Sequence, residues 1–188
     1  MALCTNACNE NEMVSHDFNL CQPTFKGDAY SVAYIFCDAA NNALKANYTA
    51  SGVWNTLIAG VNSVRDVVVV NGVVVGLTPE IVTQENPYKN GFDTSKMGEK
   101  FELNVTDPNV SCDNWDFYRA IDRRIAYVVI AFKDGRMWVS EEKMQLFSMS
   151  PGIENGAFQM FSLTASRTFE NGKGFLCFAS QPVGIFTY

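Results

Sequence analysis

Residues Asp66-Val67-Val68-Val69-Val70-Asn71-Gly72-Val73-Val74-Val75-Gly76-Leu77 constrain this chain more than any other stretch: two β-branched runs flank an Asn-Gly pair. Asn-Gly supplies the two positive-φ positions of a type I′ turn, whose twist matches the strands it joins, so a hairpin is expected here. The runs are apolar at every position and not at every second one. Strands of that pattern are covered on both faces, in a sandwich core or against another subunit. A chain built this way is building a β framework.

The chain of 188 residues fits a single β-rich domain over 28–188, preceded by an N-terminal arm or extension over 1–27 that is polar, Asn-rich and aperiodic. An apolar fraction of 47% with 14 Phe and 7 Tyr marks a packed protein. Fourteen basic residues against 20 acidic ones give a net charge of −6, which argues against a nucleic-acid grip built on clustered Lys and Arg. It is compatible with a surface past which nucleic acid slides without sticking. Met1-Ala2-Leu3-Cys4-Thr5-Asn6 carries no basic start and no apolar run follows, so no secretory signal is expected and the three Asn-x-Ser/Thr sequons (Asn47, Asn104, Asn109) read as chance matches. The longest apolar run, Ile125 to Phe132, suits a strand and is far short of a membrane span.

Cysteines stand at 4, 8, 21, 37, 112 and 177, and the only histidine is His16. Cys4, Cys8, His16 and Cys21 are the residue types of a tetrahedral zinc shell. Their spacing lacks the compact second ligand pair of zinc motifs, which favours the alternative of small buried or unused thiols and no metal. Cys37, Cys112 and Cys177 sit among apolar neighbours and read as core.

Along the chain, Tyr30–Cys37 reads as a strand and 38–50 as an Asn- and Ala-rich loop. Ser51 can cap a short helix through Trp54, Leu57 and Ile58, ended by Gly60. After the Val hairpin, Pro79 introduces a strand over Glu80–Glu85, and 86–98 reads as a long loop of the size tied to a contact. Lys100–Thr106 alternates, with Phe101, Leu103 and Val105 facing a core. Asp113 or Asn114 caps a helix over Trp115 to about Arg124. Strands follow at Ile125–Phe132, Met137–Ser140 and Met144–Met149, with an Asp134-Gly135 turn between the first two. Ala157–Phe169 alternates again, Phe161, Leu163 and Ala165 on one face and Ser162, Thr164, Ser166 and Thr168 on the other, and a last strand starts at Phe175. The expected fold is mainly β (α+β): an antiparallel sandwich or barrel with one or two short helices packed on it.

Little in this inventory supports catalysis. The only histidine lies in the N-terminal arm, so no nucleophile–base pair is evident. Glu141-Glu142 beside Lys143 reads as a solvated turn, and no phosphate loop or dinucleotide fingerprint occurs. Arg119, Arg123 and Arg124 suit a helix C-terminus, with ion pairs to Asp116 or Asp122.

A Cys-bearing head leads into Cys21-Gln22-Pro23-Thr24-Phe25, then a Trp54-Asn55-Thr56-Leu57-Ile58 helix, a hairpin, a long loop from Thr83 to Gly98, and Lys100-Phe101-Glu102-Leu103. A helix–strand–turn–strand unit runs from Asn114-Trp115-Asp116-Phe117-Tyr118 through Asp134-Gly135-Arg136-Met137-Trp138. In this order of elements the chain resembles structural proteins of tailed phages of Bacteroidetes-type hosts, tail-tube-like and neck-ring proteins. The resemblance implies a non-enzymatic virion component without cofactor, made in a host cytoplasm. It implies a homo-oligomeric ring or tube that contacts other tail or neck proteins and conducts phage DNA, with no membrane partner. Such subunits usually carry a polar lumen face on long strands, which the Val hairpin lacks. Asn86, Pro87, Tyr88, Lys89 and Phe92 of the long loop, with Val68 and Val74 of the hairpin, are the expected subunit interface. A second reading is a small-ligand or carbohydrate-binding sandwich, a decoration or receptor-binding module, which requires Trp54, Trp115 and Trp138 to converge at one end.

Overall fold

The Ile125–Phe132 run, apolar throughout, is the strand around which the rest of the chain is arranged. In a computed structural model describing residues 28–59, 66–85, 94–151, 160–170 and 173–187, it has neighbours on both edges and a core against each face. The elements are β1 (Ala29–Ile35), α1 (Asp38–Lys45), α2 (Ser51–Ala59), β2 (Val67–Asn71), β3 (Val74–Glu85), β4 (Thr94–Asp107), α3 (Cys112–Ile121), β5 (Ile125–Phe132), β6 (Met137–Ser140), β7 (Met144–Met149), β8 (Phe161–Glu170) and β9 (Phe175–Phe178). β5 pairs with β1 along one edge; along the other it pairs first with β7, at Ile125 and Ala126, and then with β6. A front sheet β2-β1-β5-β6-β9 is thereby joined to a back sheet β7-β8-β4-β3, and every pairing is antiparallel. This is the mainly β fold expected.

Alternation on β5 sends Ala126, Val128 and Ile130 into the space between the sheets, where they meet Val32, Tyr34, Leu103, Val105, Met144, Leu146, Phe161, Leu163 and Ala165. Val129 and Ala131 point the other way, to a second core with Ala33, Ile35, Met137 and Val139 under α1, α2 and the C-terminal Ile185 and Phe186. The layers are therefore helices, front sheet and back sheet. α3 closes one end of the inter-sheet core: Tyr118 stacks on Phe161 at 4.5 Å and donates to the buried Asp107 carboxylate at 2.9 Å. Burial first, and then Asp107, push the Tyr118 hydroxyl far above an ordinary phenol, so it stays a proton donor.

Several expectations are corrected. Asn71-Gly72 does not make a hairpin. β2 pairs with β1 and β3 with β4, at opposite ends of the strand order. Only Gly72 takes a positive φ, +73°, where a type I′ turn needs two such residues. The Val73 N–H donates to the Tyr30 carbonyl at 3.0 Å and the Asn71 side chain accepts from the Ser31 hydroxyl at 2.6 Å. The chain thus crosses from one sheet to the other at a corner. Covering on both faces holds for β2, with Val67 and Val69 in one core and Val70 in the other, and fails for β3, whose Val74 is 68% exposed.

Residues 38–45 form α1 and not a loop, so the described residues hold three helices. The α3 cap is Ser111, whose Oγ accepts from the Asn114 N–H at 3.1 Å, and the helix ends at Ile121. β3 runs straight through Pro79, a residue an edge strand tolerates. The stretch 94–98 belongs to β4, which shortens the expected 86–98 loop to the connection between the paired Glu85 and Thr94. Cys112 and Cys177 are exposed and Cys37 is half-buried, so none of the three is a fully buried core residue.

Candidate functional site

The back sheet buries one face and exposes the other along its length. Opposed residues share a face, so the register spells out the surface in rows: Val74–Thr106–Ser162–Met149, Gly76–Asn104–Thr164–Phe147, Thr78–Glu102–Ser166–Gln145 and Glu80–Lys100–Thr168. The middle rows are mostly hydroxyls, amides and carboxylates, with Gly76 and Phe147 among them. Thr164 donates to Asn104 at 3.0 Å, and Lys100 lies 3.8 Å from Glu80 and 4.0 Å from Glu102. The cationic side chain in these rows is thus flanked by carboxylates. At the α3 end the surface turns apolar: Val74 and Met149 (66% exposed) with Phe147, and nearby Met160 and Trp115 beside Phe161. Apolar side chains thus border the polar rows at this end.

At the opposite end the sheet thins to a ribbon. β8 stops pairing at Gly98↔Glu170, whereas β3 and β4 continue to Glu85↔Thr94 through a register shift at Val82/Thr83. Met97 is 53% exposed on this part, and Ile81, 64% exposed, stands just before it opposite Glu99. A two-stranded ribbon is marginal alone in water. One carrying an exposed Met97, with Ile81 exposed at its base, is suited to packing on a neighbour.

The expected interface residues are not brought into one patch. Val74 lies on the back sheet's exposed face. Val68 is half-buried on β2, opposite Tyr34 in the front sheet. Asn86, Pro87, Tyr88, Lys89 and Phe92 lie outside the described residues, in the connection from Glu85 to Thr94, as do Cys4, Cys8, His16 and Cys21. Among the described residues no three His, Cys, Asp or Glu side chains gather as metal ligands. The three tryptophans do not converge. Trp54 is buried in the helical layer, Trp138 packs on Phe132 between the sheets, and Trp115 lies on α3. The arrangement needed for a glycan platform is absent.

Glu141-Glu142 is a bound turn and not a solvated one. Glu142 holds Arg167 at 2.6 Å and Lys173 at 2.9 Å, and Glu141 accepts from the Gly174 N–H at 2.7 Å, tying the β6–β7 turn to the end of β8. Arg123 meets Asp122 at 3.6 Å in a solvent-exposed pair past the end of α3, and Arg124 lies over the Phe36 ring. Lys173 above all, with Arg167, holds the Glu142 carboxyl below its ordinary range against a smaller opposing cost of burial. A lowered folded value means that this stabilisation is present above the unfolded carboxylate range, about 4.3, and is lost as pH falls through the folded value. Glu142→Gln is therefore expected to lower the melting temperature at neutral pH and to converge with the parent as pH falls through the lowered folded value. Thermal melts across pH check this, and a gap independent of pH would refute it.

The alternation in 100–106 and 161–168 was legible in the sequence; the pairing of β4 with β8, which makes one surface of the two, was not. No family model matches the chain, and no curated protein matches it. Among solved structures it is similar to a chain from a cryo-EM structure of the anti-feeding prophage (AFP) baseplate, 6-fold symmetrised, at 12% identity and a TM-score of 0.37, covering 84% of this chain and 96% of that one. At that score neither fold nor function carries over, and both rest here on the chain's own strands.

Proposed function

We propose that this protein is a non-enzymatic virion structural subunit, of a tail tube or head–tail neck ring, that self-assembles into a ring or tube. The observation that carries the reading is the back sheet: strands of 12, 14 and 10 residues (β3, β4, β8) present rows of polar side chains on one face, bordered by apolar ones at the α3 end, and β3 and β4 continue past β8 as a ribbon. The polar face that the Val stretch could not supply is thus available on β4 and β8. In a ring, the Ser, Thr, Asn and Glu rows would line the passage. DNA would meet few free cations there, and each inward Lys or Arg would otherwise be a sticking point. The apolar border at Val74, Phe147 and Met149 and the ribbon carrying Asn86, Pro87, Tyr88, Lys89 and Phe92 at its end would contact neighbouring copies or other tail and neck proteins.

Mass photometry and negative-stain microscopy of the purified full chain test this directly. Rings, short tubes or oligomers that grow with concentration are expected. Replacing residues 86–93 with Asn-Gly, which rejoins Glu85 to Thr94 by a tight turn, should keep the circular dichroism spectrum and melting temperature while abolishing assembly. A 20.9 kDa monomer that persists at high concentration would overturn the proposal.

A further inference from the structure

We propose that the turn joining α3 to β5 docks on β3 of the next copy, with Arg123 of one subunit against Glu80 of its neighbour. Among the described residues, Arg123 is the one non-glycine with a positive φ, +61°. Asp122 precedes it at φ −57° and ψ 135°, and the Arg124 N–H donates to the Ile121 carbonyl at 3.1 Å. This is the pattern of a type II turn, whose third position favours glycine because a Cβ is crowded there. The Arg123 side chain is 84% exposed, and its 3.6 Å pair with Asp122 is of the solvent-screened kind that adds little. Such a pair does not offset the backbone strain. Strain of this kind, kept where glycine would relieve it, points to a use for the side chain outside the subunit.

The partner follows from where the turn lies. The Arg123 N–H donates to the Leu146 carbonyl at 2.9 Å and the Leu146 N–H to the Arg124 carbonyl at 2.8 Å, which sets the turn along the outer edge of β7. β3 stands at the other end of the back sheet, and among the described residues it pairs only with β4. These two sides carry opposite charge. Arg119, Arg123 and Arg124 are exposed in the last turn of α3 and just after it, where Asp122 is the one acid, and its second carboxylate oxygen is taken by the Ser148 N–H at 3.0 Å. On β3, Glu80 is 70% exposed and shares Lys100 with Glu102, so one cation serves two carboxylates. Each side also presents an exposed isoleucine near the charge, Ile125 at 54% and Ile81 at 64%. A contact between opposite sides of one sheet is head-to-tail, and its repetition closes a ring or continues as a helical stack. The contact rests on the ring-subunit reading and gives that reading a specific interface. A carboxylate fits better than phosphate, because the turn lies beside the sheet and not on the polar rows.

Mass photometry of the full chain over a concentration series, at constant ionic strength, is the test. Arg123→Glu and Glu80→Arg are each expected to raise the concentration at which oligomers form about tenfold or more, and the double variant to return it to within about threefold of the parent. Arg123→Gly removes the charge and relieves the turn, so it should raise the melting temperature of the monomer by about 2–4 °C and still weaken assembly. It also supplies the measurement where a charge reversal does not fold. A parent that stays monomeric would sink the subunit reading and this contact together. A parent that assembles, with Arg123→Gly or Arg123→Glu assembling equally well, would overturn the contact alone. So would single-variant defects that the double variant does not recover, or a variant that loses affinity for DNA and keeps its assembly.

Discussion

Trp54→Ala is expected to cost about 4 kcal/mol of stability, a drop of roughly 8–16 °C in melting temperature for a chain of this size. Trp54 is fully buried, its Nε1–H donates to the Tyr48 carbonyl at 2.7 Å, and its ring meets Phe186 edge-on at 5.5 Å. It joins α2, the segment after α1 and the C-terminal segment into the layer that covers the outer face of the front sheet. Truncation leaves a large cavity and removes the partner of a buried carbonyl, and the two costs add. Hydrogen exchange should rise over 38–59 and 181–187 before it rises in β5. Trp115→Ala, on the exposed side of α3, is expected to cost no more than about 1.5 kcal/mol. If the two variants melt within a degree or two of each other, the helical layer does not depend on Trp54 in the way its contacts require.

The strands were largely legible because their sequences satisfy one local rule each. β5 is a run apolar on both faces, and β4 and β8 alternate, so their inward residues Leu103, Val105, Phe161, Leu163 and Ala165 could be read directly and are all buried. Failures came where a distant partner outweighed the local signal. Asn-Gly favours a hairpin, yet β1 and β4 each offer their strand a longer partner than the two Val runs offer each other. Residues 38–45 look like loop because Asn suggests solvent, but Asn41 is buried and accepts from the Tyr48 hydroxyl at 2.6 Å while Ala40 and Leu44 pack on the sheet. Cys177 has apolar sequence neighbours and is still exposed, because β9 is an edge strand and flanking residues do not specify which face is covered. The candidate surface was half legible for the same reason. Alternation revealed two polar faces, and only the β4–β8 register joins them into one.

Gly98→Val is expected to be at least as damaging as the loss of Trp54 and to act on a different part of the molecule. A Cβ at position 98 would lie 2.1 Å from the Phe169 carbonyl oxygen, a backbone atom that cannot swing aside as a side-chain tip can. Gly98 is where β8 makes its last pairing with β4 and the ribbon of β3 and β4 departs, so the close approach sets the point and angle of departure. Accommodating a side chain means parting β4 from β8 above Phe169, which is fully buried and meets Phe101 at 5.3 Å. The expected cost is about 4 kcal/mol or more, from overpacking together with broken ladder bonds. Gly76→Val, in the same sheet with open space around the position, is the matched control and should be nearly neutral for folding. Thermal melts separate the two, and equal melting temperatures would contradict the close approach. Where Gly98→Val remains folded, a ribbon displaced at its base should still disable ring formation under conditions in which Gly76→Val leaves it intact. Assembly by both variants would show that subunit contacts do not depend on how the ribbon leaves the sheet.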